Sequence, residues 1–325
     1  HRGFVVSGCD SSRSSRILSW LQQSGVAVAV GHSGSHLSAG TGFVVRTAAV
    51  RDDAPEIRTA RELGIPVYLR GVFLPAMLDG RTSVAVSGTH GKTTTSAMIA
   101  QILAAAGRKP AFCVGGEVEA LGGVAAVGDD RVMVVEADES DGTVALYSPD
   151  IAVVTNIEYD HMEHFSDEGE LFECFRRFMS QAGLVVYGAD DPHACEAGDE
   201  LAGGGISFGF SEKARVRATE IEELKQGIHF TVVRDGAVVG RIELPVPGRH
   251  NVLNALAALT VAMELGCRFE EVREGLLRFM PARRRFERVL DGEITVISDY
   301  AHHPTEIAAL VRTALAWRRR RLVAV

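Results

Sequence analysis

The octet Gly88-Thr89-His90-Gly91-Lys92-Thr93-Thr94-Thr95 constrains this chain more than any other stretch. The apolar run Val84-Ala85-Val86 leads into it, and an alanine-rich helical pattern ending near Gly107 leads out. Strand, glycine turn, lysine with hydroxyl, then helix is the order of elements that cradles a nucleotide's phosphates. Glycines let backbone N–H groups approach the anion, and the helix N-terminus adds the positive end of its dipole. Lys92 can reach the outer phosphates, and Thr93 or Thr94 can offer an oxygen to Mg2+. The common spacing has a further glycine five positions before the second one, and Val86 stands there instead.

Length and charge narrow the alternatives. A chain of 325 residues suggests two or three domains, and 46% apolar residues is a globular composition. No apolar run approaches the roughly 18 residues of a membrane span, so no membrane insertion is expected. A net charge of −8 and a pI near 5.8 argue against a nucleic-acid partner. Arg283–Arg285 and Arg318–Arg321 are local basic exceptions, the second reading as a solvated helix end. Cys9, Cys113, Cys174, Cys195 and Cys267 are scattered and odd in number, with no C-x-x-C. That pattern suits inert thiols in a reducing cytoplasm rather than a disulfide frame or zinc site.

The first eighty or so residues alternate short apolar runs with helical patterns. Strands are expected from Phe4-Val5-Val6 to Asp10, at Val26–Val30, Phe43–Val45 and Val67-Tyr68, with helices through Ile17–Leu21 and Pro55–Leu63. This βαβ rhythm predicts a parallel sheet. Asp10, after a strand and a glycine, resembles the acid that holds a ribose in dinucleotide folds. No G-x-G-x-x-G occurs, so a nicotinamide-dependent dehydrogenase is unsupported.

A second α/β unit begins near Thr82, with strands at Ser83–Ser87, Val132–Val135, Ile151–Thr155 and Leu184–Tyr187. Helices are expected over Thr93–Ala106 and Leu171–Ala182. Val216–Leu244 reads as an antiparallel meander turning at Asp235-Gly236, and a helix follows from Asn251 to Leu265. The Arg283–Arg285 joint opens a third unit, with strand Ile294–Ile297, helix Thr305–Leu315 and strand Leu322–Val325. The chain opens without methionine and closes early in this third unit, so it reads as a piece cut at both ends.

Several constellations lie where chemistry is expected. Val132–Val135 ends in Glu136-Ala137-Asp138-Glu139-Ser140-Asp141. Glu136, at the carboxyl end of a buried strand beside the phosphate loop, can hold magnesium; the alternative is an exposed acidic turn. Ile151–Thr155 runs into Asn156-Ile157-Glu158-Tyr159-Asp160-His161, where His161 is either a metal ligand or an ordinary polar group. His250, Asn251 and Asn254 open a helix, with the two asparagines on one face. They can read an adenine edge, or Asn251 can simply cap the helix. Asp299-Tyr300-Ala301-His302-His303-Pro304-Thr305-Glu306 follows a strand and holds a helix start at Pro304. His302 and His303 as a metal pair are disfavoured, because neighbouring side chains diverge.

Taken in this order, these motifs resemble the Mur ligases, the ATP-dependent amide-bond enzymes of peptidoglycan synthesis. The matching pieces are Gly88–Thr95, Glu136–Asp141, Thr155–Glu158 with Asp160-His161-Met162, Pro247–Asn254, Arg284–Glu287 and Asp299–Glu306, with Ser7–Asp10 and Gly31-His32 extending the match. The family's phosphate loops take the short form found here, which accounts for Val86. The resemblance implies a Rossmann-like first domain over residues 1–81, a central ATP-binding domain over 82–284 whose mostly parallel sheet carries a small meander, and the start of a Rossmann-like third domain over 285–325. It implies ATP and Mg2+ as cofactors, held by Gly88, Thr89, His90, Gly91, Lys92, Thr93 and Thr94, with Glu136 and His161 on metal. His250, Asn251 and Asn254 would contact adenine, Arg285 and Asp299 would meet the nucleotide from the third domain, and Asp10 and Thr47 would lie near a uridine diphosphate. The branch indicated adds L-alanine to UDP-N-acetylmuramate. The branch attaching a recycled tripeptide typically carries tyrosine where Ser140 stands. The family's N-terminal glycine turn and most of its third domain would lie outside these residues, and Thr47-Ala48 stands where a serine pair is usual.

Overall fold

Two parallel strand pairs, each joined through a helix, build the first unit, His1–Asp79. Strand β1 (Ser7–Asp10) pairs with β2 (Ala27–Val30) across α1 (Arg16–Gln23). Strand β3 (Val44–Arg46) pairs with β4 (Val67–Leu69) across α2 (Pro55–Glu62), and α3 (Arg70–Ala76) follows. Parallel partners need such crossovers, because a tight turn can only reverse the chain. Ile57 and Ala60 bury one face of α2, while Phe43, Tyr68 and Phe73 pack ring against ring. The expected strand at Phe4–Val6 is not formed: pairing starts at Ser7, and all three side chains stay exposed. This computed structural model describes residues 3–12, 16–160, 164–224, 227–317 and 321–324. Among them no helix is long and apolar enough to cross a membrane.

The second unit, Gly80–Val325, is built on one ten-stranded sheet. In chain order it runs β5 (Thr82–Ser87), α4 (Lys92–Ala105), β6 (Ala111–Val118), β7 (Gly123–Ala126), β8 (Val132–Glu136) and β9 (Ile151–Val154). Then come α5 (Glu168–Ser180), β10 (Leu184–Gly188), α6 (Pro192–Asp199), β11 (Ile206–Gly209) and the strands β12 (Val216–Leu224), β13 (Gly227–Arg234) and β14 (Ala237–Leu244). Helices α7 (Arg249–Glu264) and α8 (Phe269–Leu277) follow, and a hairpin of β15 (Glu287–Asp291) and β16 (Thr295–Ser298) leads into α9 (Pro304–Trp317). The spatial order is β14-β13-β12-β11-β10-β9-β5-β8-β6-β7. Strands β6 to β12 of that row run parallel, with β7, β13 and β14 added antiparallel at the two edges.

Burial on both faces explains the composition of the central strands. Strands β8 and β9 read Val-Met-Val-Val and Ile-Ala-Val-Val because helices cover the sheet, leaving no wet face to alternate toward. Helix α4 is buried on nearly every side, from Thr93 to Leu103, since it sits against β5, β6 and β8 and is flanked by α7 and α8. The Asp235-Gly236 turn forms as expected, joining Arg234 to Ala237.

Two departures are local. Leu322–Ala324 form no strand and pair with none of the described strands. Val325 and Arg318–Arg320 lie outside the described residues. Asn251 is not the cap of α7; the helix starts two residues earlier, capped by Gly248, and Asn251 sits inside its first turn. Strands β6 and β7 carry Gly115, Gly116 and Gly123, which hide them from strand patterning.

Leu256 on α7 is fully enclosed, whereas Leu277 at the end of α8 is largely exposed. Leu256→Ala should cost about 2–5 kcal/mol in urea unfolding, and Leu277→Ala less than about 1 kcal/mol. Equal losses at the two sites would contradict the layer assignment.

Candidate functional site

The carboxyl ends of β5, β8 and β9 meet where the strand order switches, with consecutive segments leaving the sheet to opposite sides of β5. Such a switch point leaves a crevice beyond the strand ends. The Gly88–Gly91 turn fills it, and α4 starts at Lys92 with its first-turn N–H groups at the same edge. Two glycines are required for this path. Gly88 has φ +126°, and a Cβ there would stand 2.1 Å from Thr155 Oγ1. Gly91 caps α4 at φ +86°, and a Cβ there would stand 2.4 Å from Asn254 Oδ1.

Lys92 folds back over the turn. Its Nζ donates to the carbonyls of Gly88 at 2.7 Å and Thr89 at 3.1 Å, and to Glu139 Oε1 at 2.8 Å. Burial alone would push this ammonium down, but the charge and hydrogen bond of Glu139, helped by Glu136 and Asp138, outweigh it and hold the group above its ordinary 10.5. Thr93 Oγ1 donates to Glu136 Oε1 at 3.1 Å, and the Gly115 N–H donates to Oε2 of the same carboxylate at 2.7 Å. Lys92, Thr93 and Glu136 are therefore brought together at one sheet edge. His161 lies outside the described residues. Glu139 is the residue that sequence reasoning missed: it is 1% exposed, and its burial rather than its place in the acidic run marks it out.

The exit of β9 clamps the turn from its other side. The His90 N–H donates to Asn156 Oδ1 at 2.9 Å, and Asn156 Nδ2 donates to the His90 carbonyl at 3.0 Å. Thr155 Oγ1 donates to that carbonyl at 2.6 Å. The His90 ring faces the segment before α9: its Nδ1 is 3.2 Å from Glu306 Oε1, and its ring centroid is 4.7 Å from that of His303. Thr305 Oγ1 donates to Glu158 Oε2 at 2.6 Å. His302 and His303 do diverge, with His303 turned to His90 and Glu158 and His302 turned outward to the Tyr300 carbonyl. Burial would push the Glu306 carboxyl up. The hydrogen bonds from His90 and the His302 N–H, with the nearby charge of Arg285, overcome that and hold it at about 2.

A cavity of about 670 Å3 opens beside this seam. His90, Gly91 and Thr94 line it from the loop, His250, Asn251 and Asn254 from α7, and Arg285 and Asp299 from the segments around β15 and β16. Both asparagines already have partners within the protein. Asn251 Nδ2 donates to the Pro247 carbonyl at 2.7 Å, and Asn254 Oδ1 accepts from Thr95 Oγ1 at 3.3 Å. Asp299 braces the hairpin by accepting from the Phe286 N–H at 2.7 Å and the Ala301 N–H at 2.8 Å. Arg284 and Arg285 stack over Tyr300, with guanidinium carbons 4.7 and 5.6 Å from the ring centre. His250 opens onto the cavity; the surrounding protein strips its hydration and pushes its imidazole below the ordinary value, against the pull of Asp299. In the first unit, Asp10 ends β1 and accepts from the Ser12 N–H at 2.7 Å, while Thr47 follows β3 in an exposed turn.

A glycine cradle at a helix N-terminus, a buried lysine, oxygen donors on Thr93 and Glu136 and an adjoining cavity of nucleotide size suit a nucleotide with a hard divalent cation. Known proteins share this fold. Residues 86–262 match the Mur ligase middle domain, residues 1–82 the catalytic domain of the Mur ligase family and residues 284–325 the Mur ligase glutamate ligase domain. The UDP-N-acetylmuramate–L-alanine ligase of Acidothermus cellulolyticus is 44% identical over 322 residues, a match taking in 96% of this chain and 67% of that protein. The crystal structure of UDP-N-acetylmuramate–alanine ligase from Thermotoga maritima superposes with a TM-score of 0.86 at 31% identity, over 96% of this chain and 72% of that one. The UDP-N-acetylmuramate:L-alanyl-γ-D-glutamyl-meso-diaminopimelate ligase of Neisseria meningitides follows at 0.78 and 28%, over 87% of this chain and 93% of that one. With the middle-domain match alone taking in more than half of its length, and 44% identity to an enzyme of that family over nearly all of it, the chain belongs to the Mur ligase family.

Proposed function

We propose that this protein uses ATP to join L-alanine to the carboxylate of UDP-N-acetylmuramate, a step in peptidoglycan synthesis. The observation that carries the reading is the buried Lys92–Glu139 pair inside a glycine turn, at the edge where Thr93 and Glu136 offer oxygens. The 44% identity to an L-alanine ligase and the serine at position 140 favour alanine over the tripeptide.

Amide formation from a carboxylate is uphill in water, and a carboxylate oxygen is a poor leaving group. Transfer of the γ-phosphoryl group of ATP to the muramyl carboxylate gives an acyl phosphate; the amine attacks its carbonyl carbon, and phosphate leaves. Lys92 neutralises charge on the transferring phosphoryl group, and the loop N–H groups from Gly88 to Thr94 hold the remaining phosphate oxygens. Glu139 keeps Lys92 charged and aimed at the turn. Thr93, Glu136 and, on the sequence resemblance, His161 are assigned to metal. Mg2+, when bound, neutralises negative charge on the phosphates. His250, Asn251 and Asn254 are assigned to the adenine side of the cavity, with Arg285 and Asp299 facing the nucleotide from the third segment. Asp10 and Thr47 are assigned to the uridine diphosphate. On this reading, residues 1–81 seat the sugar nucleotide, 82–284 seat ATP and 285–325 begin the part that brings the amine. The reaction belongs to the cytoplasm, where ATP is available. Its test is phosphate release from ATP that requires both UDP-N-acetylmuramate and L-alanine; release that responds to the tripeptide instead would overturn the choice of amine.

Two outcomes follow for the loop. Lys92→Ala should lower ATP turnover more than about a hundredfold, a loss of about 3 kcal/mol of transition-state stabilisation, and should cost stability as well, without unfolding the protein, because it strands the buried Glu139 carboxylate. Near-normal turnover would remove Lys92 from the chemistry. Because the folded-state value of Lys92 lies above 10.5, ATP affinity should hold up to that pH and fall above it. Glu139→Gln takes away the largest raising influence and leaves burial opposed only by Glu136 and Asp138, so affinity should fall at a lower pH than in the parent. Superimposable pH profiles, read by calorimetric titration, would contradict the role given to Glu139.

A further inference from the structure

A second group of metal-ligating side chains lies in the first unit, built from different chemistry. Cys9 is the penultimate residue of β1, His32 follows β2, His36 sits in the short turn after it, and Glu56 lies in the first turn of α2. The donors of Cys9, His32 and Glu56 converge, while His36 approaches only the carboxylate. Cys9 Sγ stands 3.1 Å from Glu56 Oε1 and 3.6 Å from His32 Nδ1, and His32 Nδ1 stands 3.4 Å from the same carboxylate oxygen. His36 Nδ1 is 3.3 Å from that oxygen as well. The Cys9, His32 and Glu56 donors all lie within 4.8 Å of one another. In a tetrahedral zinc site, bonds of about 2.3 Å to sulfur and about 2.0–2.2 Å to nitrogen and oxygen set neighbouring ligands about 3.3–3.6 Å apart. The observed separations are close to those edges before any metal is added.

The carboxylate carries an independent sign. The Glu56 side chain is 8% exposed, and among the described residues its Oε2 has no hydrogen-bond partner, while Oε1 receives the Ser33 N–H at 2.7 Å as well as the Cys9 thiol. Leaving a buried carboxylate oxygen without a donor is costly, and a cation is the strongest way to satisfy it. A thiol, an imidazole and a carboxylate form a mixed set that suits zinc and does not suit magnesium, which takes oxygen ligands.

We propose that Cys9, His32 and Glu56, with His36 bracing the carboxylate, bind one zinc-class divalent cation that ties the end of β1, the turn after β2 and the start of α2 together. Binding replaces the Cys9 S–H bond by a metal–sulfur bond, and the thiol proton leaves to solvent, so one proton is released at Cys9 for each ion taken up. The contacts span 23 and 47 positions of sequence, so the ion cross-links segments that are otherwise joined by short strands.

The test is metal content and spectroscopy on the full chain. After equilibration with Zn2+ and removal of the excess, the parent should retain one ion that the Cys9→Ser variant loses, with retention weakened more than tenfold. Co2+ in its place should give a thiolate-to-cobalt charge-transfer band in the parent and none in Cys9→Ser, and added Zn2+ should raise the thermal midpoint only in the parent. His32→Ala provides a second variant should Glu56→Gln fail to fold, and it should weaken retention while keeping the thiolate band. Equal retention by Cys9→Ser, or a cobalt spectrum without a thiolate band, would overturn the proposal.

Discussion

Lys92 Nζ, held 2.8 Å from the buried Glu139 and bonded to two carbonyls of its own loop, is the contact on which the rest of the site depends. An ammonium taken out of water is stable only with a close anion and satisfied protons, and all three of its protons have acceptors here. That pair ties the end of β8 to the turn after β5. Breaking it from one side would leave an uncompensated charge in a crevice between buried strands. The glycine turn, the helix N-terminus and the Thr93–Glu136 contact are then oriented toward one small volume, where phosphate charge can be met once Lys92 turns from the loop carbonyls.

The loop is braced by elements far apart in sequence. Asn156 bonds His90 through both backbone groups, Thr155 fills the space a side chain at Gly88 would need, and Asn254 does the same at Gly91. Because α7 packs against α4, the cavity wall and the phosphate turn share one rigid support. The third segment reaches the loop through polar contacts instead, from Glu306 to His90 and Thr305 to Glu158. A polar seam opens at less cost than an apolar one. On the proposed function, it suits a part that closes over the reacting groups and opens to release product.

Much of this was legible in the sequence, for reasons that can be named. Strands buried on both faces read as unbroken apolar runs, so β5, β8 and β9 and the residues leaving their carboxyl ends stand out. The glycine turn is legible because its backbone path admits few other residues. Glu139 was not, since four acids within Glu136–Asp141 are equivalent as letters and only burial separates them. The asparagines of α7 were read as adenine contacts or a cap, and packing adds a bracing of the loop that spacing cannot show. Cys9, His32 and Glu56 were scattered polar residues until β1, β2 and α2 folded together, because convergence over such separations is a property of topology.

The central claim is that the Gly88–Thr94 turn is the phosphate cradle and that the adjoining cavity takes the base. A crystal structure with Mg2+ and a non-hydrolysable ATP analogue tests it most directly. The account predicts the outer phosphates on the loop N–H groups and Lys92, the cation on Thr93 and Glu136, and the adenine beside His250, Asn251 and Asn254. Phosphates bound away from the α4 N-terminus, with Lys92 still closed on Glu139 and the two loop carbonyls, would contradict it.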